Sequence, residues 1–339
     1  MRKKVTYLFG AGASIHALPI LNAMPKRMEE QIEFIKHKAE HLLSIINQEN
    51  DKHITPQESV YIEDLKWLSD NSAEHASVDT FAKKLHLHKN TSDLIKLKNC
   101  LSAFLLLEQL RNPVDPRYDT FFATLMENDF VMPNNLNIIS WNYDIQFELA
   151  YRLFTNSNDL VSAQDNLGVY LKSHDNRPVN EKFGIYKLNG SSMVYTANNA
   201  KLNKVYSNAP SGELSIETLK EIFTSYCVFK NNCNEYNHGL SFAWEDEFTN
   251  AGKKNIVAIT KEKTIETEIL VVIGYSIPFF NRSIDRDIIQ NMGRLEKVYF
   301  QSPEAEALIE RFTSIRNDLD PRMLKPIKNC EQFHLPNEL

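Results

Sequence analysis

Residues 5–14 read Val-Thr-Tyr-Leu-Phe-Gly-Ala-Gly-Ala-Ser, and the fold is decided by how this stretch is understood. Five β-branched, aromatic or aliphatic residues without apolar–polar alternation mark a strand covered on both faces, as in a parallel sheet. Two glycines, Gly10 and Gly12, then end it abruptly. Glycine is scarce in this chain, with 10 in 339 residues, about 3% against a usual ~7%, so each is expected to answer a backbone need. The pattern recurs in GIYKLNG (184–190) and ILVVIG (269–274), which also stop at glycine, and in LNIISWNYD (136–144), which stops at polar side chains. Helical patterns separate the four runs. That alternation predicts an α/β protein with a doubly wound, Rossmann-like parallel sheet, whose ligands occupy the crevice beyond the carboxyl ends of the strands.

Working outward, residues 24–112 contain no convincing strand. PKRMEEQIEFIKHKAEHLLSIINQ is an amphipathic helix with Ile32, Ile35, Leu42, Ile45 and Ile46 on its apolar side, and further helices are expected at 56–69, 78–88 and 91–111. Pro113 and Pro116 close this block, which reads as a large helical insertion. The Rossmann-like domain is therefore expected in two pieces, 1–23 and 113–339. Within it the reading places helices at 118–128, from Asp144, and at 256–267, 281–293 and 303–315. Strands fall at 136–141, 184–188, 269–273 and 297–300, and an irregular tail follows. Residues 191–255 mix hairpin-like and helical patterns and are expected to form a lid or small subdomain.

Composition excludes several function classes. Basic and acidic side chains number 38 and 44, a net charge of −6, which argues against a nucleic-acid-coating surface. No run reaches the ~20 apolar residues of a membrane span, and the amino-terminal residues carry no signal-peptide pattern, so a cytoplasmic protein is expected. Cys100, Cys227, Cys233 and Cys330 form no CxxC pair, and the ten histidines form no HExxH or HxH pattern. Cys227, Cys233 and His238 match no zinc spacing, so no metal site is expected. No GxSxG or Walker A element is present.

The chemistry is expected at the strand ends. Gly10-Ala11-Gly12-Ala13-Ser14 is read as a strand-to-helix turn, where small residues let a pyrophosphate approach the N–H groups at the helix start; the same glycines also suit a tight turn for geometry alone. No acidic residue follows at the spacing of the ordinary dinucleotide fingerprint. Asn142 ends its strand with a paired donor and acceptor that suit a water or a ribose hydroxyl, and Asp144 suits either the same site or an N-cap. Asn189, Gly190 and Ser191, then Gly274, Tyr275 and Ser276, and Asn281, Arg282 and Asp285 near the next helix start, complete the constellation.

Taken in chain order, LFGAGAS (8–14), SWNYD (140–144), YKLNGS (186–191) and VVIGYSIP (271–278) resemble the motifs of sirtuin-fold, SIR2-like proteins, specifically the bacterial group associated with anti-phage defence. SVDTFAKKL (77–85) is similar to a segment of that group lying between its first two motifs. The resemblance implies NAD as substrate or bound ligand. Gly10, Ala11, Gly12, Ala13 and Ser14 would surround the pyrophosphate, Asn142 and Asp144 the nicotinamide ribose, and Gly274, Tyr275 and Ser276 the adenosine side, with Gly190 and Ser191 also lining the cofactor. It further implies hydrolysis of NAD to ADP-ribose and nicotinamide, with Asn142, Asp144 and Asn189 as the catalytic set, and a homo-oligomer or a defence-system partner protein. Relatives that hydrolyse NAD carry histidine where this chain has Asn189, and an amide does not titrate. A module that binds NAD or an ADP-ribose-like signal without chemistry, and an assembly scaffold, therefore remain alternatives. Lysine deacylation is not expected, because the four-cysteine zinc module of deacylating sirtuins is missing.

Overall fold

All five residues of β1 (Val5–Phe9) are buried, and alternation sends Tyr7 and Phe9 to one face of the sheet and Thr6 and Leu8 to the other. The computed structural model describes residues 2–45, 55–156, 160–171, 183–196, 214–232, 236–242, 244–245 and 256–339. Among these, the strands after β1 are β2 (Leu136–Ser140), β3 (Val169–Leu171), β4 (Ile185–Lys187), β5 (Gly190–Thr196), β6 (Tyr236–Leu240), β7 (Ile269–Ile273), β8 (Lys297–Gln301) and β9 (Leu324–Ile327). Seven of them form one sheet in the order β3-β4-β2-β1-β7-β8-β9, with every pairing parallel. β5 and β6 make a separate two-stranded sheet. The fold is α/β and Rossmann-like.

The helices are α1 (Met24–Ile45), α2 (Pro56–Ala73), α3 (Val78–Leu87), α4 (Thr91–Arg111), α5 (Pro116–Leu125), α6 (Gln146–Thr155), α7 (Leu160–Asn166), α8 (Ile216–Asn231), α9 (Ile256–Thr264), α10 (Arg282–Asn291) and α11 (Ala305–Thr313). The chain divides into two compact units. The sheet unit comprises Met1–Ile15, Val114–Ser191 and Ser241–Leu339; the helical unit comprises His16–Pro113 and Ser192–Leu240. The helical unit thus takes in α8 as well as the block read from sequence, and α8 packs on α2 and α4. Its interior holds buried polar networks. Tyr226, Lys230 and Lys96 converge on Asp64 at 2.6, 2.7 and 2.9 Å, and Gln31 links Tyr61 to Glu108 at 2.6 and 2.8 Å. The SVDTFAKKL segment forms α3, whose N-cap Ser77 accepts the Thr80 N–H at 3.2 Å, worth about 1 kcal/mol.

In the sheet unit, one face is aromatic. Tyr7 packs edge-on against Phe121 of α5 (5.2 Å), and Phe9 against Phe147 of α6 (5.0 Å) and Phe333 (5.2 Å). Phe333 belongs to the segment after β9, which threads across this face. Gln301 Nε2 donates to the Asn329 carbonyl at 2.6 Å, and Tyr7 donates its hydroxyl hydrogen to the His334 carbonyl at 3.0 Å. The other face is aliphatic, with Leu8, Ile139, Leu270 and Val272 against Ile256 and Ile259 of α9, Ile288 and Ile289 of α10, and Leu308 and Phe312 of α11.

Three expectations need correction. The irregular tail contains a strand, β9, and the stretch between the helix read from Asp144 and the strand at 184–188 contains another, β3. Both are short edge strands, and an edge position tolerates Pro326. The glycine turn does not open a helix: Ala11–Ser14 is a single 3-10 turn, and the next α-helix starts only at Met24. Pro19 and the backbone bonds described below prevent regular continuation. Much of 191–255, including Cys233, lies outside the described residues.

Candidate functional site

Register brings the four polar strand ends to one edge of the sheet. Phe9 pairs with Ser140 on one side and Ile273 on the other, and Ser140 pairs with Lys187. The residues just beyond these partners are Gly10, Trp141, Gly274 and Leu188. Main-chain bonds continue the ladder past the strands, with Trp141 N–H to Phe9 O (3.0 Å), Leu188 N–H to Ser140 O (2.9 Å) and Gly10 N–H to Ile273 O (3.0 Å). Winding runs from β1 through β2 to β4 on one side and resumes at β7 on the other, so β1 lies at the topological switch point where α/β proteins open a ligand crevice.

The glycines of this edge have a packing cause. A Cβ on Gly10 would stand 2.5 Å from the Cα of Tyr275, one on Gly12 2.9 Å from the Cα of Gly274, and one on Gly274 2.2 Å from the Ala13 nitrogen. Gly274 also has φ +60°. The turn after β1 and the turn after β7 therefore cross backbone to backbone, clasped by Gly12 N–H donating to Gly274 O at 2.9 Å. This crossing consumes N–H groups that the sequence reading reserved for a pyrophosphate. Arg117 holds the turn from beneath, donating from Nη2 to Ala13 O at 2.9 Å and from Nη1 to Cys330 O at 3.3 Å, while ion-pairing with Asp115 at 2.6 Å.

Asn142 is 5% exposed, and both its Nδ2 and its Oδ1 lack any partner. Its main-chain N–H is held by Ser140 Oγ at 3.1 Å, so the backbone bearing the amide is tied down while the side chain keeps two unmet polar groups. The Ser191 hydroxyl is buried and unpartnered as well. Asp144, by contrast, is turned inward. Its Oδ2 accepts from Ser14 Oγ at 2.8 Å, Ser14 Oγ is 2.8 Å from the Tyr118 hydroxyl, and Oδ1 accepts the Gln146 N–H at 3.2 Å. The helix α6 begins at Gln146 with Ile145 at its N-cap position, so Asp144 supports that helix from one residue earlier than the N-cap role read from sequence. Burial raises the Asp144 carboxyl above the usual range, opposed first by the Lys187 charge and then by the Ser14 bond.

Lys187, 1% exposed on β4, donates to Asp144 O at 2.6 Å and to both Glu148 oxygens at 2.8 and 3.1 Å, and Gln164 Nε2 donates to the same carboxylate at 2.9 Å. This closed ion pair anchors the loop that carries Asn142. Sequence reasoning passed over it, although a lysine inside an apolar run of a parallel strand is a signal, since such a charge must be paired. Arg117 and Tyr118 were also missed; they sit among ordinary helical patterns and acquire meaning only through contacts.

The remaining residues divide between the edge and the core. Asn189 Nδ2 donates to Trp141 O at 3.2 Å and its main-chain carbonyl accepts from Ser241 N–H at 3.0 Å, so this residue joins β2 to β4 next to Asn142. Gly190 and Ser191 follow it. The Tyr275 ring lies in the aliphatic core, stacked on Trp141 at 5.8 Å, while Ser276 is exposed and its carbonyl accepts from Arg311 at 2.7 Å. Ala11 is half-buried on the turn. Chemically, the edge offers a non-titrating donor–acceptor pair, a hydroxyl and a buried carboxylate two residues away.

Among the described residues no group of three or more His, Cys, Asp or Glu side chains is arranged to hold a metal ion, and no helix is long and apolar enough to cross a membrane. No family model matches the chain, and no curated protein matches it either.

Proposed function

We propose that the carboxyl edge of the sheet binds NAD and that the protein hydrolyses it to ADP-ribose and nicotinamide. The observation that carries this reading is the Asn142 side chain, buried at the switch point with donor and acceptor both unpaired. Each such group costs about 1–3 kcal/mol, and a ligand hydroxyl or an attacking water would satisfy both. Cleavage of the nicotinamide N-glycosidic bond passes through an oxocarbenium-like state, and its leaving group departs as neutral nicotinamide without needing a proton. Orientation and electrostatics therefore suffice in principle without a strong base. Asn142 orients the water, Asp144 fixes the loop bearing Asn142 through Ser14, and Asn189 sets the neighbouring strand end. The resemblance to anti-phage SIR2-like proteins extends the reading to cofactor depletion during defence.

The test is nicotinamide release from NAD by the purified full chain. Release that falls by ~10² or more in Asn142→Ala supports hydrolysis; no release above that variant overturns it. One observation favours a second reading, a binding module without chemistry. The amide of Asn189, at the position of the family histidine, is engaged with Trp141 O. Thermal stabilisation by NAD or ADP-ribose with no nicotinamide release would select it.

A further inference from the structure

Asp285 sits on the first turn of α10, 2% exposed. Its oxygens are shared between aromatic residues from two different strand ends. Oδ1 accepts from Trp141 Nε1 at 3.1 Å and Oδ2 accepts from the Tyr275 hydroxyl at 2.7 Å, beneath rings stacked within 8° of parallel. Asn281 Nδ2 donates to the Tyr275 oxygen at 3.2 Å, which leaves that hydroxyl's hydrogen for Asp285. Trp141 immediately precedes Asn142. Tyr275 immediately follows Gly274 and is the residue against which Gly10 packs. One carboxylate thus joins the backbone carrying the unpaired amide to the backbone that crosses the glycine turn.

We propose that Asp285 is a positioning residue, clamping Trp141 to Tyr275 so that Asn142 keeps its placement relative to the Gly10–Gly12 turn. The proposal rests on the reading of this edge as an NAD site.

The clamp is complete only with an ionised carboxylate. Protonation turns one oxygen into a donor, so the two donors, Trp141 Nε1 and the Tyr275 hydroxyl, no longer each have an unprotonated oxygen of Asp285 to bond. The surroundings are apolar: Leu8, Ile139 and Leu188 from the strands and Ile288, Ile289 and Met292 from α10 and its end line a small void at the carboxylate. The nearby charges have other partners. On α10 itself, Arg282 contacts the Ser314 carbonyl and Asp287 pairs with Lys261 of α9, while Arg286 is exposed; Arg316, after α11, is taken by the Ile289 and Met292 carbonyls and by Asp318. Burial accordingly dominates and pushes the Asp285 carboxyl up to about 7, against the Tyr275 and Trp141 bonds. The clamp loses one link within the neutral range.

The test uses the full chain, with NAD as the probe, at about pH 5.5 and about pH 8.5, either side of this titration. Asp285→Asn keeps one acceptor oxygen where the ionised carboxylate offers two, and so reproduces the acid form. Wild type should bind NAD about tenfold more weakly at the acid pH, and Asp285→Asn should hold that weaker affinity at both. The Trp141 indole N–H resonance should titrate in wild type and not in Asp285→Asn. An Asp285→Leu variant, lacking both links, should bind more weakly still. Wild-type affinity in Asp285→Asn at the alkaline pH, or NAD binding alongside an indole resonance that ignores pH, would overturn the clamp while leaving the NAD reading intact. An indole that titrates in a protein that binds NAD at neither pH overturns the NAD reading, and the proposal with it.

Discussion

The pair Lys187–Glu148 offers the sharpest test of how the site is held, because both charges are buried, at 1% and 0% exposure. Replacing Lys187 by Met leaves the Glu148 carboxylate with the Gln164 amide as its remaining strong partner and removes the 2.6 Å bond to Asp144 O. An uncompensated buried charge of this kind costs about 3–5 kcal/mol. Glu148→Leu leaves Lys187 bonded to the Asp144 carbonyl alone, with a similar cost. In Lys187→Met/Glu148→Leu neither charge remains, and the loss reduces to the abandoned Asp144 carbonyl, about 1–3 kcal/mol. Two singles of about 4 kcal/mol and a double of about 2 give a coupling of about 6 kcal/mol, near the top of the range for close charge pairs. A chain with two compact units need not unfold in one step, so the measurement is native-state hydrogen exchange at the slowest amides of β1, β2 and β7, which report opening of the sheet unit. A double variant as unstable as the sum of the singles would refute the argument that the pair is closed on itself.

Other predictions concern the edge itself. Asn142→Ala should raise the thermal midpoint of the free protein, because it removes two unmet buried hydrogen-bonding groups, while abolishing stabilisation by NAD; a lowered midpoint would show that the amide serves the fold. Gly274→Ala should cost about 3 kcal/mol or more from its positive φ and the 2.2 Å approach to the Ala13 nitrogen, read by the same exchange experiment; a loss below about 1 kcal/mol would refute the backbone crossing. Asn189→His restores a titrating group and should increase nicotinamide release, and an unchanged rate would count against the catalytic reading. For Asp285, the rise from 3.8 to about 7 means that its stabilising contribution is full below about pH 4 and is lost as pH climbs through about 7. Wild type should therefore lose about 4 kcal/mol relative to Asp285→Asn across that window, and parallel stability curves would disprove it.

The sequence by itself determined the layered architecture. Continuous apolar runs such as VTYLF and ILVVI can be buried only between two helical layers, and their abrupt glycine or amide ends mark where the chain must leave the sheet. Those are local signals, written in consecutive residues, and they place Gly10, Asn142, Asn189 and Gly274 at strand ends. β3 and β9 escaped because three or four residues carry too little period to read, and their stability comes from a neighbouring strand. Tertiary structure alone decided the purpose of the residues. Gly10 and Gly12 are small because another turn crosses them, and Asp144 faces Ser14, a hundred and thirty residues away in sequence. Lys187 is tolerated in a buried strand because α6 supplies Glu148, and Asp285 gains its role from two aromatic residues that follow separate strands. Hydrogen bonds and ion pairs of this kind depend on atoms meeting within about 3 Å, and no spacing along a chain encodes which remote residues will meet.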